Sequence, residues 1–202
     1  MSQKITSFSE IQGNFDKKIT INRDQSQELF IVDIGAKNSS ILLNLTLKER
    51  SKVNVYIYSL NSNTNRTINV TIKQTSNSVS NVHIKCINAN HGYTDISILG
   101  DAAEHALNIQ LNQQVEGILL DDLSTIKVLP SMLVDTNRIK ASHAVNIGNI
   151  NPEQLFYLMS RGVPKHAATT ILLESMFSRI KDAQSPIYSD IKLKLNQMLG
   201  VK

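Results

Sequence analysis

Ser39-Ser40-Ile41-Leu42-Leu43-Asn44-Leu45-Thr46-Leu47 is the stretch that decides the fold. Leu43, Leu45 and Leu47 fall on one face, and Asn44, Thr46 and Lys48 on the other. That is the period of two expected of a half-buried β-strand. Val53-Asn54-Val55-Tyr56-Ile57-Tyr58 repeats the pattern. So do Ile68–Lys73, Val82–Cys86, Ile96–Ile98 and Leu107–Leu111. The strands recur about every 13 residues, separated by polar clusters such as Asn61-Ser62-Asn63-Thr64-Asn65 and Asn88-Ala89-Asn90-His91-Gly92. Many short, evenly spaced strands predict a sandwich, a barrel or a solenoid. Pattern alone does not separate the three. Asparagine-rich turns tolerate left-handed backbone and favour the solenoid. Residues up to about Phe15 read equally as strand, short helix or tail.

Outside the strands, the composition sets limits. The 202 residues are 41% hydrophobic, with 19% charged residues, one Cys, no Trp and a net charge of +4. The length suits one domain with a core that needs no disulfide or structural metal. One Cys excludes an intramolecular disulfide framework and a self-contained Cys-rich metal site, and suits a reducing compartment. No apolar run is long enough to span a bilayer, and Met1–Ser7 lacks a hydrophobic signal core. The expectation is a cytoplasmic protein with no membrane partner. The pI of about 9.1 hints at nucleic acid, but only 5% of residues are aromatic and no basic-aromatic run occurs. A stacking platform for nucleic acid is therefore not expected.

Near residue 150 the composition turns from Asn, Ser, Thr, Ile and Val to Leu, Met, Ala, Lys and Glu. Asn151-Pro152-Glu153-Gln154 predicts a helix start: Asn151 as N-cap, Pro152 at the first position, Gln154 able to close a capping box. Leu155, Leu158 and Met159 form an apolar face, and Gly162 a stop. A second helix is predicted from Pro164, with Ala168, Ile171, Leu172, Met176 and Ile180 on one stripe and a break at Ser185-Pro186. A third carries Ile191, Leu195, Met198 and Leu199.

Few residues suggest catalysis. The glycines form no phosphate-binding loop, and no serine sits in a nucleophile elbow. Acidic residues form no ladder of the kind polysaccharide-cleaving solenoids need. Asp121-Asp122 reads as a turn feature, because adjacent strand residues face opposite ways. His83, His91, His105 and His166 read as surface or structural. Cys86 alternates with Val82 and Ile84 and should face the core. On residue physics alone His143 also reads as structural, although it lies just before the strand-to-helix switch. No enzyme activity is expected.

The chain from Gly117 to Gly162 carries Gly117-Ile118-Leu119-Leu120, Leu129-Pro130-Ser131-Met132-Leu133-Val134, Asp135-Thr136-Asn137-Arg138-Ile139-Lys140-Ala141-Ser142-His143, Gly148 and Glu153-Gln154-Leu155-Phe156-Tyr157-Leu158-Met159-Ser160-Arg161-Gly162. This combination resembles the SufB/SufD family of iron–sulfur cluster assembly scaffold proteins. The resemblance implies a right-handed parallel β-helix over residues 1–150 and a C-terminal helical segment over 151–202. It further implies a non-enzymatic scaffold that pairs with a SufB-like protein and docks a SufC-type ATPase through its helices. Ala144 follows His143 where SufB-type sequences place Glu, so the chain is similar to the SufD type. His143 then matches the histidine implicated at the assembly interface, a ligand for transient iron or a nascent cluster, with no cofactor held stably. Ala141 stands where SufD-type motifs often have Cys. Arg161 would lie near the ATPase surface, or serve as a cation at a helix C-terminus. Against the family the chain is short and starts near the β-helix, as expected of a minimal member, a divergent paralogue or a fragment. The alternative is a solenoid interaction protein without cluster chemistry, able to pair as a homodimer through strand edges at 126–134 and 139–147.

Overall fold

In the computed structural model, which describes residues 4–136, 138–183 and 187–200, eleven strands precede four helices. The strands are β1 (Lys4–Ile11), β2 (Asn14–Ile21), β3 (Ser26–Asp33), β4 (Ser39–Leu47), β5 (Lys52–Ser62), β6 (Asn65–Gln74), β7 (Val79–Ala89), β8 (Tyr93–Ala102), β9 (Ile109–Leu119), β10 (Thr125–Val134) and β11 (Ile139–Gly148). Consecutive strands alternate between two sheets, of order β1-β3-β5-β7-β9-β11 and β10-β8-β6-β4-β2. Within each sheet every pairing is parallel. The chain therefore coils, two strands to a turn, as a β-solenoid. Among the described residues of the ambiguous start, Lys4–Ile11 form β1 and Asn14 opens β2. The strand expected from Leu107 begins at Ile109, because Asn108 turns into the left-handed region (φ 55°) and leaves Leu107 on the surface.

The alternating residues fill the space between the sheets. Leu43, Leu45 and Leu47 of β4 meet Val53, Val55 and Ile57 of β5, Ile68, Val70 and Ile72 of β6, and Val82, Ile84 and Cys86 of β7 in one luminal core. β-Branched side chains suit this stack, because their stiff χ1 loses little on a pleated surface. The corners carry the asparagines. Asn63, Asn77, Asn90 and Asn108 all have φ between 53° and 60°, a region whose cost Asn lowers with its short polar side chain. Buried corner amides satisfy the backbone there. Asn88 donates to the carbonyls of Gly92 (3.1 Å) and Thr125 (2.7 Å), and Asn61 donates to that of Tyr93 (3.0 Å).

Ladders run along the outer face of the larger sheet. Asn112 donates to Asn81 at 2.8 Å, Asn81 to Asn54 at 2.9 Å, and Ser142 to Asn112 at 2.8 Å. Their offsets of 31, 27 and 30 residues are the length of one coil. One position along, Phe8, Phe30, Tyr56 and His83 stack at centroid distances of 4.9, 4.9 and 5.2 Å.

The helices are α1 (Pro152–Ser160), α2 (Lys165–Ser175), α3 (Ser178–Asp182) and α4 (Ile187–Met198). Asn151 caps α1, accepting from the backbone N–H of Glu153 (2.8 Å) and Gln154 (3.2 Å). Gly162 (φ +86°) ends it, as expected. The single helix predicted from Pro164 is instead two, broken at Met176–Phe177. The break turns Met176, Phe177 and Ile180 onto the sheet, while Ile171 of the expected stripe is exposed and Leu173 is buried. Leu173, Met176, Phe177, Ile180, Ile191 and Leu195 form a second core with Phe30, Val32, Tyr58, Leu60 and Ile87 on the sheet's outer face. The break expected at Ser185-Pro186 lies outside the described residues. No described helix is long and apolar enough to cross a membrane.

A buried ion pair ties two corners together. Arg66 pairs with Asp33, both essentially unexposed, and Ser39 donates to Asp33. The guanidinium also donates to Ser39 Oγ (3.0 Å) and to the carbonyls of Gly35 (2.6 Å) and Leu60 (3.2 Å). Removing one partner strands the other's charge. Arg66→Leu should therefore destabilise the protein by about 3–5 kcal/mol in urea unfolding. A loss below about 1 kcal/mol, the range of an exposed ion pair, would show that the pair does not hold the corners.

Candidate functional site

The solenoid ends on β10 and β11, each the last strand of its sheet. Among the described residues no further rung bonds the backbone N–H and C=O groups on their outer edges. Such edges are templates for another chain unless blunted. Pro130 sits within β10, and proline is tolerated in a strand only at such an edge. Apolar side chains remain exposed on this rung: Leu129 (58%), Leu133 (59%), Val134 and Val145.

His143 lies in the middle of β11, where its register partner is Gln113 of β9. Ile139 and Ile147 of the same strand pack on the luminal core. By alternation, positions 139, 141, 143, 145 and 147 face the lumen, so His143 stands at its open mouth and is exposed. It can give a metal one imidazole nitrogen. Among the described residues no three His, Cys, Asp or Glu gather into a metal-holding group.

The other histidines are not brought to this rung. His83 faces outward, stacks on Tyr56 and meets Gln114 Oε1 through Nδ1 at 3.2 Å. Burial pulls its pKa below the ordinary value. His91 and His105 occupy turns in left-handed conformations, and His166 is exposed on α2. Asp121 is the turn feature expected, accepting from the backbone of Asn90 (2.5 Å), Leu123 (2.9 Å) and Ser124 (2.8 Å). Cys86 faces the luminal core and is fully buried. Burial pushes its thiol up to about 12, so it is inert as a nucleophile or metal ligand.

Beyond the rung, α1 has no buried residue. Phe156 (73% exposed), Tyr157 (58%) and Met159 lie open, and Ile171 of α2 is exposed nearby. Tyr157, Leu158, Ile171 and Leu172, with Glu153 and Gln154, line a groove between the two helices. Arg161, the C-cap of α1, places its guanidinium 5.4 Å from the Tyr157 ring. Reading the alternation of Ile109 and Leu111 onward would have flagged Gln113 as a polar residue on the core face. The Arg66–Asp33 pair left no such signal, since it joins residues 33 positions apart.

Comparison with known proteins agrees with this geometry. The family described as "SUF system FeS cluster assembly, SufBD core domain" matches residues 7–176. The iron–sulfur cluster assembly protein SufD of Bacillus subtilis is 31% identical over 75 residues, 37% of this chain and 17% of that protein. The SufD of Escherichia coli is 25% identical over 99 residues, 49% of this chain and 23% of that protein. An iron–sulfur cluster assembly SufBD family protein of Staphylococcus aureus is 31% identical over 105 residues, 50% of this chain and 22% of that protein. The matched stretch thus spans about a fifth of these relatives' own length.

The buried thiol gives a pH prediction. Unfolded, Cys86 loses its proton near 9.0; folded, it holds it to about 12. Its contribution is therefore full below pH 9 and falls as pH rises through that window, by at most about 1.4 kcal/mol per pH unit. Denaturant titrations across the window should show a steeper alkaline loss for the native sequence than for Cys86→Ala. Equal slopes would mean that the thiol ionises in the folded state.

Proposed function

The chain belongs to the SufBD core family of the SUF iron–sulfur cluster assembly system, and on that premise we propose that it is a SufD-like, non-enzymatic scaffold subunit. In this reading its open rung pairs with a SufB-like protein and its helices dock a SufC-type ATPase in the cytoplasm. The observation that carries the proposal is the terminal rung itself. Two adjacent strand edges lie unpaired, exposed leucines flank them, and His143 stands at the lumen mouth between them. Backbone edges supply affinity to an added strand, and alternate side chains supply specificity.

Iron or a nascent cluster is cargo here, not a resident group. His143 contributes one borderline nitrogen ligand, and the partner supplies the thiolates. With Ala141 two positions before it and Cys86 sealed in the core, this chain brings no thiolate to the rung. A one-ligand half-site suits release, because cargo leaves once the partner's ligands withdraw.

Phe156, Tyr157, Met159 and Ile171 make the ATPase-docking face in this reading. Exposed apolar residues clustered around a groove, rather than scattered singly, mark an interaction site. Large aromatic side chains are the usual anchors of such sites.

Two experiments test the proposal. Phe156→Ala combined with Tyr157→Ala should cut capture of a SufC-type ATPase by the full chain at least tenfold, with the fold unchanged by circular dichroism; undiminished capture would contradict the docking face. His143→Ala, reconstituted with a SufB-type partner, should slow cluster formation, and a wild-type rate would make His143 structural. A homodimer that excludes the SufB-type partner would support self-association through the same edges instead.

A further inference from the structure

Gln113 is a polar side chain in an apolar lumen. It is 2% exposed and lies between Leu111 and Val115, both in the luminal core. Its Nε2 donates across the lumen to the backbone carbonyl of Ser131 in β10 at 3.2 Å. That contact fixes the orientation of the amide, since only the NH2 group can donate to a carbonyl. The other end, Oε1, is buried with no hydrogen-bond partner. A buried acceptor left unsatisfied works against stability, so an orphaned oxygen in a native core calls for an explanation.

One rung separates Gln113 from the lumen mouth, and its register partner on that rung is His143. Partners in a parallel pair share a face, so Gln113 and His143 both face the lumen, on successive rungs. The molecule already contains such a pair. His83 and Gln114 are register partners on β7 and β9, on the outer face, and their Nδ1 and Oε1 atoms meet at 3.2 Å.

Resting on the assigned role of His143 as a cargo ligand, we infer that Gln113 is its positioning residue. For this the His143 imidazole turns inward and donates one N–H to Gln113 Oε1, the acceptor left without a partner in the structure, which holds His143 in a single tautomer. The second nitrogen then carries the lone pair and points out of the mouth toward iron. A neutral imidazole has one donor and one acceptor nitrogen, so binding the donor dictates which nitrogen can ligate. Metal-ligating histidines regularly donate their other N–H to an outer acceptor. A neutral amide sets the direction without the added basicity a carboxylate would lend, which suits a ligand that must let go.

The test is a long-range proton–nitrogen correlation spectrum of the metal-free full chain, labelled with nitrogen-15, in mildly alkaline buffer where imidazoles are neutral. The wild type should show His143 in one tautomer. Gln113→Met, which keeps the volume and removes the acceptor, should show both tautomers, and Gln113→Glu should restore the single one. A tautomer mixture in the wild type overturns the inference even if neither variant folds; so does a single tautomer that survives Gln113→Met. A second readout is cobalt(II), titrated optically into the complex with a SufB-type partner. Gln113→Met should weaken binding about 10- to 100-fold, and unchanged binding contradicts the positioning role. The two claims fail separately: if His143→Ala assembles clusters at the wild-type rate while the tautomer result holds, only the cargo role of His143 is lost.

Discussion

Each rung of a parallel solenoid bonds its backbone to the rung before and the rung after, and the rest of this molecule follows from that constraint. Register stacks position on position, so Leu29, Val55 and Val82 rise in one luminal column. On the outer face Phe30, Tyr56 and His83 rise in another. A slip of one residue would turn every apolar side chain out of the lumen. The corners must close each coil at the same place, and left-handed asparagines with buried amides accomplish this. Where the chain crosses between β3 and β4, and again between β5 and β6, the Arg66–Asp33 pair locks two coils together.

The same constraint leaves a last rung without a successor. β10 and β11 keep an unbonded edge, and their luminal side chains cover the core from one side only. Directly after β11 ends at Gly148, the chain changes period and α1 begins at Pro152. α2, α3 and α4 fold back on the outer face of the larger sheet and bury a second core. Arg179 secures this packing, donating to Glu28 at 2.7 Å while lying 5.5 Å from the Tyr56 ring. α1 is left with nothing buried. An unpaired edge and a helix with exposed aromatic side chains thus lie four residues apart in sequence. A polar cleft joins them, lined by Glu116 and Asn146 on the rungs and by Gln154 and Ser175 on the helices.

Much of this was legible in the sequence, and the exceptions have physical causes. The alternation at Ile41–Leu47 gave the strands, and the asparagine clusters gave their corners. Asn151-Pro152 gave the first helix, because cap chemistry is local. The division at Met176–Phe177 was not legible. Propensity runs unbroken from Lys165 to Asp182, and only the sheet's apolar surface, built by β3, β5 and β7, pulls Phe177 and Ile180 aside. The burial of Arg66 depends on Asp33 from another coil, a contact that no local pattern signals. His143 drew attention only through its motif. Its position at the lumen mouth, above Gln113, is a product of register between rungs, which no single strand encodes.

Hydrogen–deuterium exchange on the full chain, alone and with a SufB-type partner, tests the central claim most directly. The claim is that the terminal rung is the pairing edge. The open-edge amides of 125–134 and 139–148, alternate along each strand because the others bond β8 and β9, should exchange readily in the free chain and become protected in the complex, with those of β1 and β2 unchanged. Protection confined to the first strands, or none on the last rung of a formed complex, would contradict it.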